Sequence, residues 1–199
     1  MEERAIYRSS DKSFSLRQGE ILTGVIQYKP VIDELSQHGQ ELPFETVLHP
    51  YVIVITQDCD LDWDYKARNP REILQPSKLL NSIILCEIAE ARGIRDAADN
   101  NMNSKEWKLV ESHRHERFYF FEKIPRECEA EQEGLPELTA DFKKIFGIDA
   151  ATLYRQIELG MVKRRSVLIS PYLEHFSRRY YSFHSRVALP FQYESERES

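Results

Sequence analysis

Tyr51-Val52-Ile53-Val54-Ile55-Thr56-Gln57-Asp58-Cys59-Asp60-Leu61-Asp62-Trp63-Asp64 is the stretch on which the fold turns. Its first six residues are mostly β-branched and apolar without alternation, the pattern of a strand buried on both faces and therefore central in a sheet or barrel. Polar residues then follow from Gln57 to Lys78, with Pro70 and Pro76 among them, so the chain is expected to leave this strand as a long loop. Loops of that length are usually functional or mobile.

Working toward the N-terminus, Glu20-Ile21-Leu22-Thr23-Gly24-Val25-Ile26-Gln27-Tyr28 reads as a second strand closed by Lys29-Pro30. Gly24 in its middle marks a bulge or a close backbone approach. Residues 1–18 show no period and form an arm, and Val31 to Gln37 fits a helical turn. Toward the C-terminus, 82–90 is a further buried strand, 91–109 two short helices around an Asn cluster, and 117–121 an aromatic strand. An acidic loop follows from Glu122 to Glu137. In Leu138 to Phe146 the alternation Leu138, Ala140, Phe142 favours a strand, although Phe142, Ile145 and Phe146 also fit a helix. Ala150 to Leu159 is a short helix stopped by Gly160. A final helix over 171–187 is expected to take Ser170 as its cap and Pro171 as its first residue, with Tyr172, Leu173, Phe176, Tyr180, Phe183 and Val187 on its apolar stripe. These elements predict one α+β domain over 19–190, a small, curved, mainly antiparallel barrel with a helical insertion near 91–110 and a closing helix, between the N-terminal arm and a frayed tail at 191–199.

The composition excludes several classes. With 41% hydrophobic and 30% charged residues in 199, the chain is far from the disordered corner. No apolar run approaches the roughly 20 residues that span a bilayer, and Met1-Glu2-Glu3-Arg4 lacks the start of a signal peptide. A cytoplasmic protein is therefore expected. Three cysteines, Cys59, Cys86 and Cys128, without a CxxC pair indicate neither a disulfide scaffold nor a zinc ribbon. Neither a glycine-rich phosphate loop nor GxSxG nor HExxH occurs. The net charge is −6, yet 149–187 holds seven basic residues against three acids, a local +4 that leaves −10 for the rest. A bipolar molecule follows, able to touch a phosphate track or an acidic partner.

Two clusters carry candidate chemistry. If the strand geometry persists past Thr56, then Asp58, Asp60, Asp62 and Asp64 share one face at roughly 6 to 7 Å spacing, an arrangement that repels itself or binds a divalent cation. Asp58, Asp60 and Asp62 are the candidate metal ligands, and Asp58, Asp60, Thr56 and Cys59 the candidate catalytic residues. The alternative is turn-forming carboxylates with solvated neighbours. Cys59, between two acids, is read as a buried structural cysteine rather than a nucleophile, and Asp60 is expected to be the least exposed of the four acids, satisfied by loop N–H groups. Lys163, Arg164 and Arg165 with Arg178 and Arg179 are candidate nucleic-acid- or partner-binding residues, or a salt-bridged surface meeting the acidic loop. His113 and His115 either join a zinc site with Cys59 and Cys128, for which no ligand spacing is recognised, or stay exposed.

Gln18-Gly19-Glu20-Ile21-Leu22, then Tyr51 to Asp58 and Ser82-Ile83-Ile84-Leu85-Cys86, resemble the MazF/PemK family of small SH3-like barrels over about residues 18–90. The resemblance implies a toxin–antitoxin endoribonuclease with an Arg and a Ser/Thr acting on the scissile phosphate. Thr56 is the possible hydroxyl counterpart, and no Arg stands near the start of its strand. Gln57-Asp58-Cys59-Asp60-Leu61 and the ending from Pro171 to Pro190 are also similar to uncharacterised bacterial proteins of mobile and defence loci. The leading expectation is a non-catalytic accessory subunit that binds a protein partner in a bacterial defence or toxin-type system and needs no cofactor. The contrasting one is a MazF-like ribonuclease, or a Mg²⁺-dependent phosphodiesterase built on the acidic cluster.

Overall fold

In the computed structural model, which describes residues 5–31, 43–68, 75–100 and 102–187, Val52 and Val54 pack on one side of a sheet and Ile53 and Ile55 on the other. Their strand, β3 (Phe44–Val54), is the middle one of seven. The others are β1 (Tyr7–Ser9), β2 (Glu20–Pro30), β4 (Ser82–Glu90), β5 (Phe118–Phe121), β6 (Leu138–Asp149) and β7 (Lys163–Leu168), joined antiparallel in the order β1-β7-β2-β3-β4-β6-β5. The four strands expected from the sequence lie in this sheet, and Leu138 to Phe146 takes its strand alternative.

The expected barrel does not close. β1 and β5, of three and four residues, end the sheet without pairing to each other. The reason lies in how apolar residues are distributed. A small barrel buries one face of its strands, whereas this sheet carries apolar side chains on both and covers each with helix. On one face Ile21, Ile53, Ile88, Phe121 and Phe142 meet Phe176 and Phe183 of α5 (Tyr172–His184). On the other, Leu22, Val52, Val54 and Leu85 meet Leu61 of α1 (Asp58–Arg68) and Leu153 of α4 (Ala150–Glu158). Two short helices, α2 (Ala91–Asp96) and α3 (Ser104–Glu111), form the expected insertion and pack Ile94, Trp107 and Val110 against Phe118 of β5.

Three further expectations change. The long loop after Thr56 begins as α1, whose acids at the start and bases at the end complement the helix dipole. The arm contains β1, which pairs with β7. Ser170 does not cap the last helix: α5 starts at Tyr172, and the Ile169 carbonyl accepts the N–H groups of Tyr172 (2.8 Å) and Leu173 (3.1 Å) in place of a hydroxyl; the helix ends at His184, so that Val187 lies past it and is exposed instead of joining its stripe. Most of the helical turn expected over Val31 to Gln37, and the tail from 188 onward, lie outside the described residues. Among the described residues no helix is long and apolar enough to cross a membrane.

Gly24 makes a close backbone approach. It has φ +80°, and a Cβ placed there would lie 2.6 Å from the Met161 carbonyl oxygen. Gly24→Ala is therefore expected to cost at least about 1–3 kcal/mol, the range for a side chain forced into left-handed backbone, read as a lowered urea midpoint with an unchanged slope.

Candidate functional site

The helix that replaces the loop decides the fate of the acidic cluster. Strand geometry would align Asp58, Asp60, Asp62 and Asp64, but at about 100° per residue they fall on two opposite sides of α1, Asp58 with Asp62 and Asp60 with Asp64. Asp58, at the N-terminus of α1, receives Arg17 through Nε (2.8 Å) and Nη2 (2.7 Å), and the Gln18 N–H (2.8 Å). Asp62 pairs with Lys66 at 2.6 Å on the exposed side. Asp64, not Asp60, is the buried member, with 0% exposure. It accepts both Arg68 Nε (2.9 and 3.0 Å) and the Leu80 N–H (2.7 Å). Asp60 is half-buried, and among the described residues its side chain accepts a hydrogen bond from the Cys59 thiol at 3.8 Å. Cys59 is exposed rather than buried, because the helix turns it away from the sheet. Thr56 accepts the Ile84 N–H at 2.8 Å, which ties the end of β3 to β4. Among the described residues no three His, Cys, Asp or Glu side chains are grouped so as to hold a metal ion.

The basic tract is likewise occupied within the chain. Arg164 is buried and donates to Glu20 at 2.6 and 3.0 Å and to the Phe14 and Ser15 carbonyls. Arg165, also buried, donates to Glu129 and, at 2.9 Å, to Glu133, while Glu129 also accepts the N–H groups of Glu131 and Glu133, fixing the acidic loop on β7. Lys163 reaches Glu131 at 3.2 Å. Arg155 and Arg186 face Glu158 and Glu116. Of the seven basic residues in 149–187, Arg178 and Arg179 alone lack a carboxylate partner among the described residues. Arg178 is exposed, on the outer side of α5, and Arg179 donates to the His115 carbonyl. The bipolar charge read along the chain is thus largely cancelled in space.

A different surface is left open. β2 and β3 pair in nine registered positions from Ile21↔Ile53 to Pro30↔Phe44, but β7 meets β2 only up to Thr23 and β4 meets β3 only from Tyr51. Past those points the two strands run on as a ribbon. Alternation sorts its side chains into two faces. Lys29 opposite Glu45 and Gln27 opposite Val47 share one; Gln27 also bonds His49, whose ring stacks on Phe146. The other carries Ile26 opposite Leu48, Tyr28 opposite Thr46 and Pro30 opposite Phe44, with Tyr28 50%, Leu48 62% and Phe44 63% exposed. At the ribbon's base the Gln156 side chain of α4 binds both the N–H (3.0 Å) and the carbonyl (2.7 Å) of Ile26. Sequence reading placed an extended stretch at Glu45 to His49 but missed this face. The available signal was period-two alternation in both strands with apolar members on matching registers, which becomes visible only once the register is known.

Two expectations follow for the acids. Asp64→Ala strips a buried carboxylate from Arg68 and is expected to cost about 3 kcal/mol, the range for breaking a buried pair, whereas Asp60→Ala costs no more than about 1 kcal/mol through the helix dipole; urea melts of both variants check the order. For Asp58, burial favours the neutral acid, but hydrogen bonds from Arg17 and the Gln18 N–H, together with the Arg17 charge, outweigh it and hold the carboxyl below its usual range. A carboxylate lowered on folding adds stability above its unfolded pKa, about 3.9, and loses that contribution as pH falls through the folded value. Asp58→Asn is therefore expected to be less stable than the wild type near pH 7, with the gap narrowing as melts are repeated from pH 4 downward.

Compared with known proteins, the chain matches no family, no curated protein and no solved structure, so its site is read from geometry alone.

Proposed function

We propose that the protein is a non-catalytic interaction subunit that docks a protein partner on the apolar face of the β2–β3 ribbon. The exposed set of Tyr28, Phe44 and Leu48 on one side of two paired strands carries this reading. A ribbon made only to stand in water gains nothing from large apolar side chains gathered on one face, while the core of a protein interface is formed by aromatic and aliphatic groups that a partner covers. The charged residues that suggested chemistry point the same way. Asp58, Asp64, Lys163, Arg164 and Arg165 sit in ion pairs that hold parts of the fold together, and Asp62 is paired with Lys66 on the exposed side of α1. Placement of the partner in a bacterial defence or toxin-type system rests on the sequence resemblance.

A photo-crosslinking residue placed at Leu48, and for comparison at exposed Leu109 on α3, tests this in cells that express the protein natively. The expected result is one adduct with a different protein from position 48 and none from 109, lost when Phe44→Glu is added to a chain whose melting temperature is unchanged. Equal adducts at both positions, or an adduct containing only a second copy of this chain, would overturn it. So would cleavage of single-stranded RNA or DNA by the purified protein, with or without Mg²⁺ or Mn²⁺, if Asp58→Asn or Thr56→Ala abolished it, which would establish the nuclease alternative.

A further inference from the structure

The two long edges of the β2–β3 ribbon are finished differently. Val31 donates to the Pro43 carbonyl at 3.0 Å, which puts the odd-numbered pairs of the ribbon in the hydrogen-bonded positions of an antiparallel ladder. The N–H and carbonyl groups of the even-numbered residues therefore point outward, from Ile26 and Tyr28 along β2 and from Phe44, Thr46 and Leu48 along β3. On the β2 side the Gln156 side chain takes both groups of Ile26, as that geometry requires. On the β3 side no described residue bonds to the outward groups of Thr46 or Leu48, because β4 joins β3 only from Tyr51. The open edge from Phe44 to Leu48 is about 17 Å long, and an unpaired edge of this kind is a template for another chain.

We propose that this edge accepts an extended segment of a protein partner, which adds to β3 as a further strand. The inference rests on the docking reading above and names the form of the partner. Burial supplies the reason. Phe44, Thr46 and Leu48 place their side chains on the exposed face of the ribbon and their backbone groups along its open edge. A partner that covers those side chains takes the adjoining amides out of water, and a buried N–H or carbonyl left unpaired costs as much as a lost hydrogen bond. A helix has no backbone groups to spare for them. A strand presents a donor and an acceptor at every second residue, the spacing at which Thr46 and Leu48 present theirs.

A second copy of this chain does not meet the same need. Antiparallel pairing of two β3 edges about Thr46 sets Phe44 of each copy opposite Leu48 of the other on a shared face, so the exposed apolar surface doubles without being covered. The same pairing makes the two Glu45 side chains diagonal neighbours on the opposite face, at about 7–8 Å, with like charges. The edge alone also buries far less than the roughly 800 Å² per partner of a stable complex, so the occupant must lie over Tyr28, Phe44 and Leu48 as well as beside β3. The segment that fits has large apolar side chains at alternate positions, level with Phe44 and Leu48, and a basic residue on its other side, next to exposed Glu45.

Two measurements test this. In the purified full chain, backbone amide exchange is followed by NMR with a synthetic seven-residue peptide of alternating isoleucine and lysine as probe, and with its isoleucine and glutamate counterpart. Without peptide, Thr46 and Leu48 are expected to exchange as unprotected amides while Glu45 and Val47, bonded to β2, are protected; the lysine peptide slows Thr46 and Leu48 saturably, and the glutamate peptide acts several-fold more weakly. In cells that express the protein natively, the adduct formed from a photo-crosslinking residue at position 48 is expected to be lost in Thr46→Pro, which removes an N–H from the open edge and none from the ribbon's own ladder, and kept in Thr46→Ala, which retains that N–H. If Thr46→Pro does not fold, the amide measurement on the unaltered chain decides. Thr46 and Leu48 amides already protected without peptide, no slowing by either peptide, or an adduct that survives Thr46→Pro in a folded chain would overturn strand addition. An adduct that survives leaves the docking reading standing, whereas an adduct missing from the wild type overturns both.

Discussion

Burial of β3 on both faces is the constraint from which the remaining architecture follows. Val52 and Val54 must be covered on one side and Ile53 on the other, so the chain needs helices above and below the same sheet. α1 and α4 supply one cover and α5 the other. That demand keeps the sheet open, leaves β1 and β5 as short ends, and lets the ribbon project where β2 and β3 outrun their outer neighbours.

Buried charge then fixes how the covers and loops sit. Glu20 at the start of β2 and Arg164 in β7 are both nearly sealed from water, and Arg164 also holds the Phe14 and Ser15 carbonyls of the segment leading from β1 to β2. Arg165, the next residue, points to the other side of the strand and holds the acidic loop through Glu129. Such pairs contribute little net energy compared with apolar packing, but an unpaired member would cost several kcal/mol. Misplaced registers of β7 are penalised accordingly.

The parts of this fold that are legible along the sequence are those with a local cause. The unbroken apolar run at 52–55, the alternation at Leu138, Ala140 and Phe142, and the helical stripe of Tyr172, Phe176, Tyr180 and Phe183 each announce their period within a few residues. α1 was hidden because an acid at every second position imitates strand alternation; the competing signal, Asp62 to Lys66 and Asp64 to Arg68 at i,i+4, lay in the same residues. Asp60 draws the expectation of burial because it stands nearer the end of the strand than Asp64, where a loop would turn away from the sheet; the helix instead carries Asp64 inward. The basic tract looked like a surface because arginines are seldom buried without partners, and the partner of Arg164 lies 144 residues away. The ribbon face draws on a cross-strand register, which a linear pattern does not encode.

The Gln156 carboxamide has a consequence for assembly. With one donor and one acceptor fitted to the N–H and carbonyl of Ile26, it imitates the peptide unit of a neighbouring strand and occupies the edge of β2 past the end of β7, where another strand could otherwise pair with the ribbon. Lateral growth, whether into a continuous intermolecular sheet or a fibril, would have to displace both bonds at that point before gaining any of its own. The β2 edge of the ribbon is thus capped beside its apolar exposed face, so that contact made along that edge is steered toward side chain on side chain.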